Sequence, residues 1–103
     1  MKIVDTNILL DYPQIIEEET DLEILTDVLK ELDGLKMNQN SEVAFKARRA
    51  AVVLSRNLAK INWNTDYENE KIPVDDKLLS ATGKNNILIT NDVYLKVKAI
   101  IKG

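Results

Sequence analysis

The sequence contains no cysteine and no histidine among its 103 residues. Without cysteine it forms no disulfide and offers no thiolate to a metal. Without histidine it lacks both an imidazole ligand and the usual general base. No apolar run approaches the roughly 20 residues that a membrane span needs, and no charged leader followed by an apolar stretch opens the chain. We therefore expect a cytoplasmic protein with no membrane association, whose chemistry depends on oxygen ligands.

The composition is typical of a compact globular protein. The hydrophobic fraction of 45% is enough for one core, so residues 1–103 are expected to form a single domain. The net charge of −3 argues mildly against a nucleic-acid binder, because such proteins usually have a basic surface. Basic side chains are nevertheless concentrated in one segment, at Lys46, Arg48, Arg49 and Arg56. This segment is either a solvated helix face or a surface that steers phosphate groups.

Apolar runs of strand length alternate along the chain with segments of helical period. This pattern is typical of parallel βα units and predicts an α/β fold with a mostly parallel four-stranded sheet flanked by helices. Strands are expected at residues 1–4, 22–25, 61–63 and 87–89. Thr26, Ser41 and Asp75 are predicted helix caps, and the longest helix should run from Ser41 to about Lys60. The last helix carries an apolar face made of Val93, Val97, Ile100 and Ile101.

Four carboxylates stand where parallel units bring residues to one edge of a sheet. Asp5 and Asp92 follow the first and last strands, and Glu31 and Asp75 belong to helices that would reach the same edge. Clustered acids are costly unless a positive group lies between them. In a chain without His or Cys, the natural candidate is Mg²⁺ or Mn²⁺. Two such ions about 3.5–4 Å apart can activate a water and stabilise the reacting oxygens of a phosphodiester.

Each acid also has a structural interpretation. Asp5, Asp75 and Asp92 are all placed to cap helices, and Glu31 could be an exposed partner for Lys30 or Lys36. Four acids in suitable strand and helix contexts favour a functional site over four separate structural roles.

Four segments carry a resemblance to a known family. They are residues 4–10 (VDTNILL), 28–36 (VLKELDGLK), 75–79 (DDKLL) and 89–92 (ITND), with ARRA at residues 47–50 between the second and third. In this order, over essentially the full chain, they resemble PIN-domain nucleases. The second segment and the tail from Thr90 are similar to the PIN modules attached to PhoH-type ATPases.

The resemblance implies a metal-dependent endoribonuclease that hydrolyses single-stranded or structured RNA with a metal-activated water. Its catalytic residues and ligands for Mg²⁺ or Mn²⁺ would be Asp5, Glu31, Asp75 and Asp92. Asn7 would orient Asp5, and Thr90 and Asn91 would support a ligand or a bound water. Lys46, Arg48, Arg49 and Arg56 are candidates for contacts with the RNA backbone. Trp63 and Tyr67 either stack on bases or belong to the core.

The chain departs from the family's three-layer fold in one respect. A PIN fold usually closes its sheet with a fifth strand after the last helix, and this chain stops where that strand would begin. Either the protein is a naturally reduced version of the fold, or these residues are part of a longer chain. A missing edge strand would expose backbone groups on the neighbouring strand, which favours a homodimer or a protein partner.

Two other functions remain open. One is a catalytically weak or inactive PIN module that binds RNA or a protein without cleaving. The other is a receiver-like phosphoacceptor domain, which would need a lysine close after a late strand. Asp92 follows residues 87–91 instead.

Overall fold

The four strands form one fully parallel sheet. The computed structural model describes residues 1–83 and 85–103. The strands are β1 (Lys2–Val4), β2 (Leu22–Leu25), β3 (Asn62–Asn64) and β4 (Ile87–Ile89). They pair in the order β3-β2-β1-β4, and every pairing is parallel. The predicted α/β fold with a four-stranded sheet is confirmed.

Helices occupy most of the segments between the strands. They are α1 (Thr6–Asp11), α2 (Ile15–Glu18), α3 (Thr26–Leu35), α4 (Ser41–Arg56), α5 (Val74–Ala81) and α6 (Val93–Lys102). Helices α1, α3 and α4 pack against one another, whereas α5 packs against α6. A 3-10 helix, Leu58–Lys60, follows α4, so the long helix ends at Arg56 rather than near Lys60 as predicted.

The core lies around the two central strands. Ile3 and Val4 of β1 and Ile24 and Leu25 of β2 are completely buried, as expected for parallel strands that are covered on both faces. Ala47 and Ala50 of α4 join the same core, and their small side chains allow close packing. Within residues 1–83 and 85–103, no helix has the length and apolarity needed to cross a membrane.

The cap of α4 differs from the prediction. Asn40 precedes the helix, and its side-chain oxygen accepts the backbone N–H groups of Glu42 at 3.0 Å and Val43 at 3.3 Å. Ser41 is the first helical residue. The two polar residues are adjacent, and the one whose backbone is still extended serves as the cap.

The predicted caps of α3 and α5 are also wrong. Strand β2 runs directly into α3, so Thr26 is already helical and Leu25 precedes the helix without a side-chain cap. The Thr26 hydroxyl instead donates to the Glu68 carboxylate at 2.7 Å. Pro73 occupies the cap position of α5, which places Asp75 inside the first turn.

The apolar face of α6 lies largely in solvent. Leu95 is the buried residue of this helix, while Val93, Val97, Ile100 and Ile101 are all exposed, Ile101 by 80%. Because β4 is an edge strand of the sheet, α6 has fewer neighbours than a helix over the sheet centre. Trp63 and Tyr67 pack against the core, which favours the structural interpretation of both aromatics.

Candidate active site

The four predicted carboxylates line one cleft. The cleft has a volume of about 120 Å³ and is bordered by Asp5, Thr6, Asn7, Glu31, Leu35, Asp75, Leu78 and Asp92. Asp5 directly follows β1 and Asp92 follows β4, and these strands are neighbours in the sheet. Helices α3 and α5 supply Glu31 and Asp75. The cleft therefore lies at the carboxyl end of the sheet, where parallel α/β folds place their ligands.

Asp5 is the buried member of the set, with 4% of its surface exposed. Its Oδ1 accepts the backbone N–H of Ile8 at 2.9 Å and so caps α1, while its Oδ2 accepts the Thr90 hydroxyl. Burial raises the pKa of Asp5 above its ordinary value, and the negative charges of Asp75 and Asp92 raise it further. The two hydrogen bonds lower the pKa without cancelling the effect of burial.

Thr90 links Asp5 to Asp92. Its hydroxyl donates to Asp5 and accepts the backbone N–H of Asp92 at 2.9 Å. Asp92 in turn accepts the N–H of Leu95 at 3.1 Å and caps α6. Asp5 and Asp92 are thus both helix caps and cleft residues, so the two interpretations of the sequence are compatible at these positions.

Glu31 and Asp75 lie at the exposed rim of the cleft. The Glu31 carboxylate accepts the Thr6 hydroxyl of α1, which ties α3 to α1. Lys36, one of the lysines considered as a partner for Glu31, instead pairs with Asp33 at 2.7 Å.

Asn7 and Asn91 have different surroundings. Asn7 lines the cleft, and its role in orienting Asp5 stays a prediction. The Asn91 side chain donates to Oδ2 of Asp11 at 3.3 Å, and Lys46 contacts Oδ1 of the same carboxylate at 3.1 Å. Asp11 therefore connects α4 to the segment that leads into Asp92.

The candidate RNA-binding residues lie on α4, away from the walls of the acidic cleft. The Arg48 and Arg49 guanidinium groups donate to the backbone carbonyls of Lys36 at 3.1 Å and Leu10 at 2.7 Å. Arg49 also lies 6.0 Å from the centre of the Phe45 ring. A groove of about 390 Å³ is lined by Phe45, Arg48, Arg49, Val52, Val53 and Arg56.

The cleft offers the oxygen ligands that Mg²⁺ and Mn²⁺ prefer. Buried Asp5, whose pKa is raised partly by two neighbouring carboxylates, is the group whose ionised form a cation would stabilise most. In the part of the chain that the structure describes, however, no three acidic side chains converge closely enough to hold one ion together. The donor chemistry fits a divalent cation, but binding one requires the carboxylates to move closer together.

A buried ion pair that the sequence pattern does not reveal joins α3 and α5. Lys77 of α5 contacts Oδ1 of Asp27 of α3 at 2.6 Å. One signal was available: Asp27 precedes Glu31 by four residues and so shares its face of α3. The partner 50 residues away could not be identified from local pattern.

The fold and the cleft define an α/β protein with acidic side chains gathered at the carboxyl edge of a parallel sheet. A family model described as PIN domain matches residues 2–103, and the chain belongs to the PIN-domain family. This result confirms the resemblance found in the sequence. The closer likeness to the modules of PhoH-type ATPases stays a prediction.

A solved structure supports the fold. It is described as a domain of a functionally unknown protein from Methanocaldococcus jannaschii DSM 2661, and it is 22% identical to the chain with a TM-score of 0.66. The similarity covers 99% of this chain and 85% of that one. No curated protein matches the sequence. PIN domains are generally nucleases, so membership supports a nuclease-type function.

Proposed function

We propose that the protein is a Mg²⁺- or Mn²⁺-dependent endoribonuclease. The observation that carries the proposal is that four carboxylates from four separate segments line one cleft: Asp5, Glu31, Asp75 and Asp92. Membership of a family whose members are generally nucleases supports it. A bound ion would supply Lewis-acid activation of water and neutralise charge on the phosphodiester.

The four acids would have different roles. Asp5 and Asp92 form the fixed part of the site, because backbone N–H groups and the Thr90 hydroxyl hold them in place. Glu31 and Asp75 are exposed, and Glu31 would have to give up or share its hydrogen bond from the Thr6 hydroxyl to bind a cation. The site would thus combine two carboxylates held by capping hydrogen bonds with two at its solvent-exposed rim.

The groove on α4 is proposed to bind the RNA backbone. Arg48, Arg49 and Arg56 line it and can contact phosphates. Lys46 would contribute less, because its charge is already paired with Asp11 at 3.1 Å and Glu42 at 3.5 Å. The slope of log RNA affinity against log salt concentration reports the number of phosphate contacts. Replacing one groove arginine by Gln should reduce this slope by the equivalent of about one contact. Affinity that does not depend on salt would exclude this role.

The decisive experiment compares Asp75→Asn with Asp76→Asn. Both residues are exposed acids in the first turn of α5, but only Asp75 lines the cleft. A labelled mixed-sequence RNA is incubated with Mn²⁺, with and without EDTA, and the products are resolved by length. We expect EDTA and Asp75→Asn to abolish cleavage and Asp76→Asn to preserve it. Equal cleavage by both variants would place the chemistry elsewhere.

A binding module without cleavage is the second candidate. It is favoured by the absence, among the described residues, of three acids placed to hold one ion. The discriminating result is RNA binding by the wild-type chain with no cleavage at any Mn²⁺ concentration.

We also propose a second copy of this chain as the partner at the sheet edge. Among residues 1–83 and 85–103, strand β4 pairs only with β1, and its first residue, Ile87, is exposed. The exposed apolar residues of α6, among them Ile100 and Ile101, offer surface that a two-fold contact could bury.

A further inference from the structure

The ion pair between Lys77 and Asp27 is the most deeply buried charged contact described in the structure. Its two side chains are only 8% and 5% exposed, and Oδ2 of Asp27 is buried without a hydrogen-bond partner among the described residues. Removing two charges from water costs about as much as their attraction returns, so such a pair is weak evidence for stability. A role in fixing geometry is the better explanation.

The pair connects the two helices that supply the exposed carboxylates. Asp27 and Glu31 are four residues apart and share one face of α3. Lys77 follows Asp75 by two residues, which places the two side chains on nearly opposite sides of α5. Asp75 can therefore face the cleft while Lys77 reaches into the interior.

Leu78 anchors helix α5 in the hydrophobic core, but apolar burial is non-directional and does not by itself fix the register of α5 against α3. Helix α5 packs against α6, which is itself largely exposed, and it follows a polar and mostly exposed segment, residues 65–73. Between α5 and α3, the Lys77 ammonium lies 2.6 Å from the Asp27 carboxylate. This short polar contact joins the two helices directly.

We propose that Lys77 and Asp27 are positioning residues that hold α5 against α3 and thereby set the separation of Asp75 from Glu31 and Asp5 across the cleft. The consequence for metal binding rests on the proposed function. The geometric role does not depend on it.

The test requires a variant that removes the pair without leaving a buried charge. Lys77→Met alone leaves Asp27 as a buried charge without its partner and could unfold the protein. The double variant Asp27→Leu/Lys77→Met replaces both charges by apolar groups and should keep wild-type stability. Lys77→Arg keeps the charge, and Lys98→Met controls for loss of an exposed lysine on α6.

Two measurements are made on each variant, with urea unfolding as the check of global stability. Calorimetric titration with Mn²⁺ alone should show roughly 10-fold or greater weakening in the double variant, while Lys77→Arg and Lys98→Met bind as the wild type does. Amide hydrogen exchange should be faster in α5 of the double variant at unchanged global stability. Wild-type Mn²⁺ affinity together with wild-type exchange in α5 would overturn the proposal.

Failure of the proposed function would look different. In that case the wild-type chain itself would neither bind Mn²⁺ nor cleave RNA. Hydrogen exchange in α5 of the double variant would then decide the positioning role by itself: faster exchange supports it, and unchanged exchange overturns it.

Discussion

At the scale of single residues, Asp5 experiences opposing effects on its charge. Burial and the neighbouring carboxylates Asp75 and Asp92 raise its pKa, and the hydrogen bonds from Thr90 and Ile8 lower it. Because the net shift is upward, the folded chain binds a proton at Asp5 more tightly than the unfolded chain does. The ionised form is therefore a source of instability that a cation or a neutral side chain would remove.

This effect predicts a pH-dependent difference between the wild type and Asp5→Asn. The stabilisation from protonated Asp5 is fully present below its ordinary pKa of 3.8 and is lost as pH rises through the raised folded-state pKa. The wild type should therefore lose stability relative to Asp5→Asn as pH rises from 3.8 through the raised pKa of Asp5. Urea unfolding in EDTA measures this difference, and a difference that is constant or changes in the opposite sense would contradict the prediction.

Thr90 is the residue that joins the two fixed carboxylates. Thr90→Val keeps the shape of the side chain but removes both the donor to Asp5 and the acceptor for the Asp92 N–H. We expect a loss of about 2 kcal/mol in the free energy of unfolding, because the buried Asp5 carboxylate and the partly buried Asp92 N–H each lose a partner. Thr90→Ser retains the hydroxyl and serves as the control in the same denaturant titration. A loss in Thr90→Ser with no loss in Thr90→Val would mean that the methyl group, not the hydroxyl, matters.

At the scale of elements, α6 shows how position in the fold overrides an amphipathic pattern. Its apolar face includes four exposed residues, and the helix is anchored by Leu95 and by the Asp92 cap. A helix over an edge strand has less surface to cover it than a helix over a central strand. Burial in α6 therefore follows the sheet order rather than the hydrophobic pattern alone.

The two kinds of apolar residue in α6 should respond differently to truncation. Leu95→Ala should cost about 2–5 kcal/mol, because it leaves a cavity in the core. Ile101→Ala should change the free energy of unfolding by no more than about 0.5 kcal/mol, because the side chain is exposed. Thermal or urea unfolding of dilute protein compares the two. Similar losses of unfolding free energy in the two variants would show that α6 is rotated about its own axis relative to this structure.

At the scale of the whole molecule, the edge strand β4 and the exposed apolar residues of α6 follow each other closely in sequence. Strand β4 leads through residues 90–92 into α6, and Ile87 and Val93 at either end of this segment are exposed. An exposed strand edge beside apolar surface is a favourable site for association.

A concentration-dependent dimer is the expected result. Light scattering coupled to size-exclusion chromatography should show the mass rising from that of one chain toward twice that value as concentration increases. Ile100→Glu/Ile101→Glu should restore the monomer while leaving the fold intact by circular dichroism. A strictly monomeric wild type at high concentration would argue against the second copy as partner.

The sequence by itself determined the strands, the alternation with helices and the positions of the four carboxylates relative to strand ends. Short apolar runs bounded by polar residues identify buried parallel strands, and Asp5 and Asp92 follow two of them. These are local properties, and the family's four segments in order made the resemblance specific. The sequence did not determine the exact helix boundaries. At the start of α4, Asn40 and Ser41 are both good caps, and only their backbone conformation shows that Asn40 is the one that caps the helix.

Only the tertiary structure decided which of these residues meet. The order β3-β2-β1-β4 places Asp5 beside Asp92, joins them through Thr90 and leaves α6 at an edge. The contact of Lys77 with Asp27 spans 50 residues and has no local signature. Strand order and such distant contacts depend on how all the elements share one core, whereas periodicity reports only the surroundings of a residue along its own helix or strand.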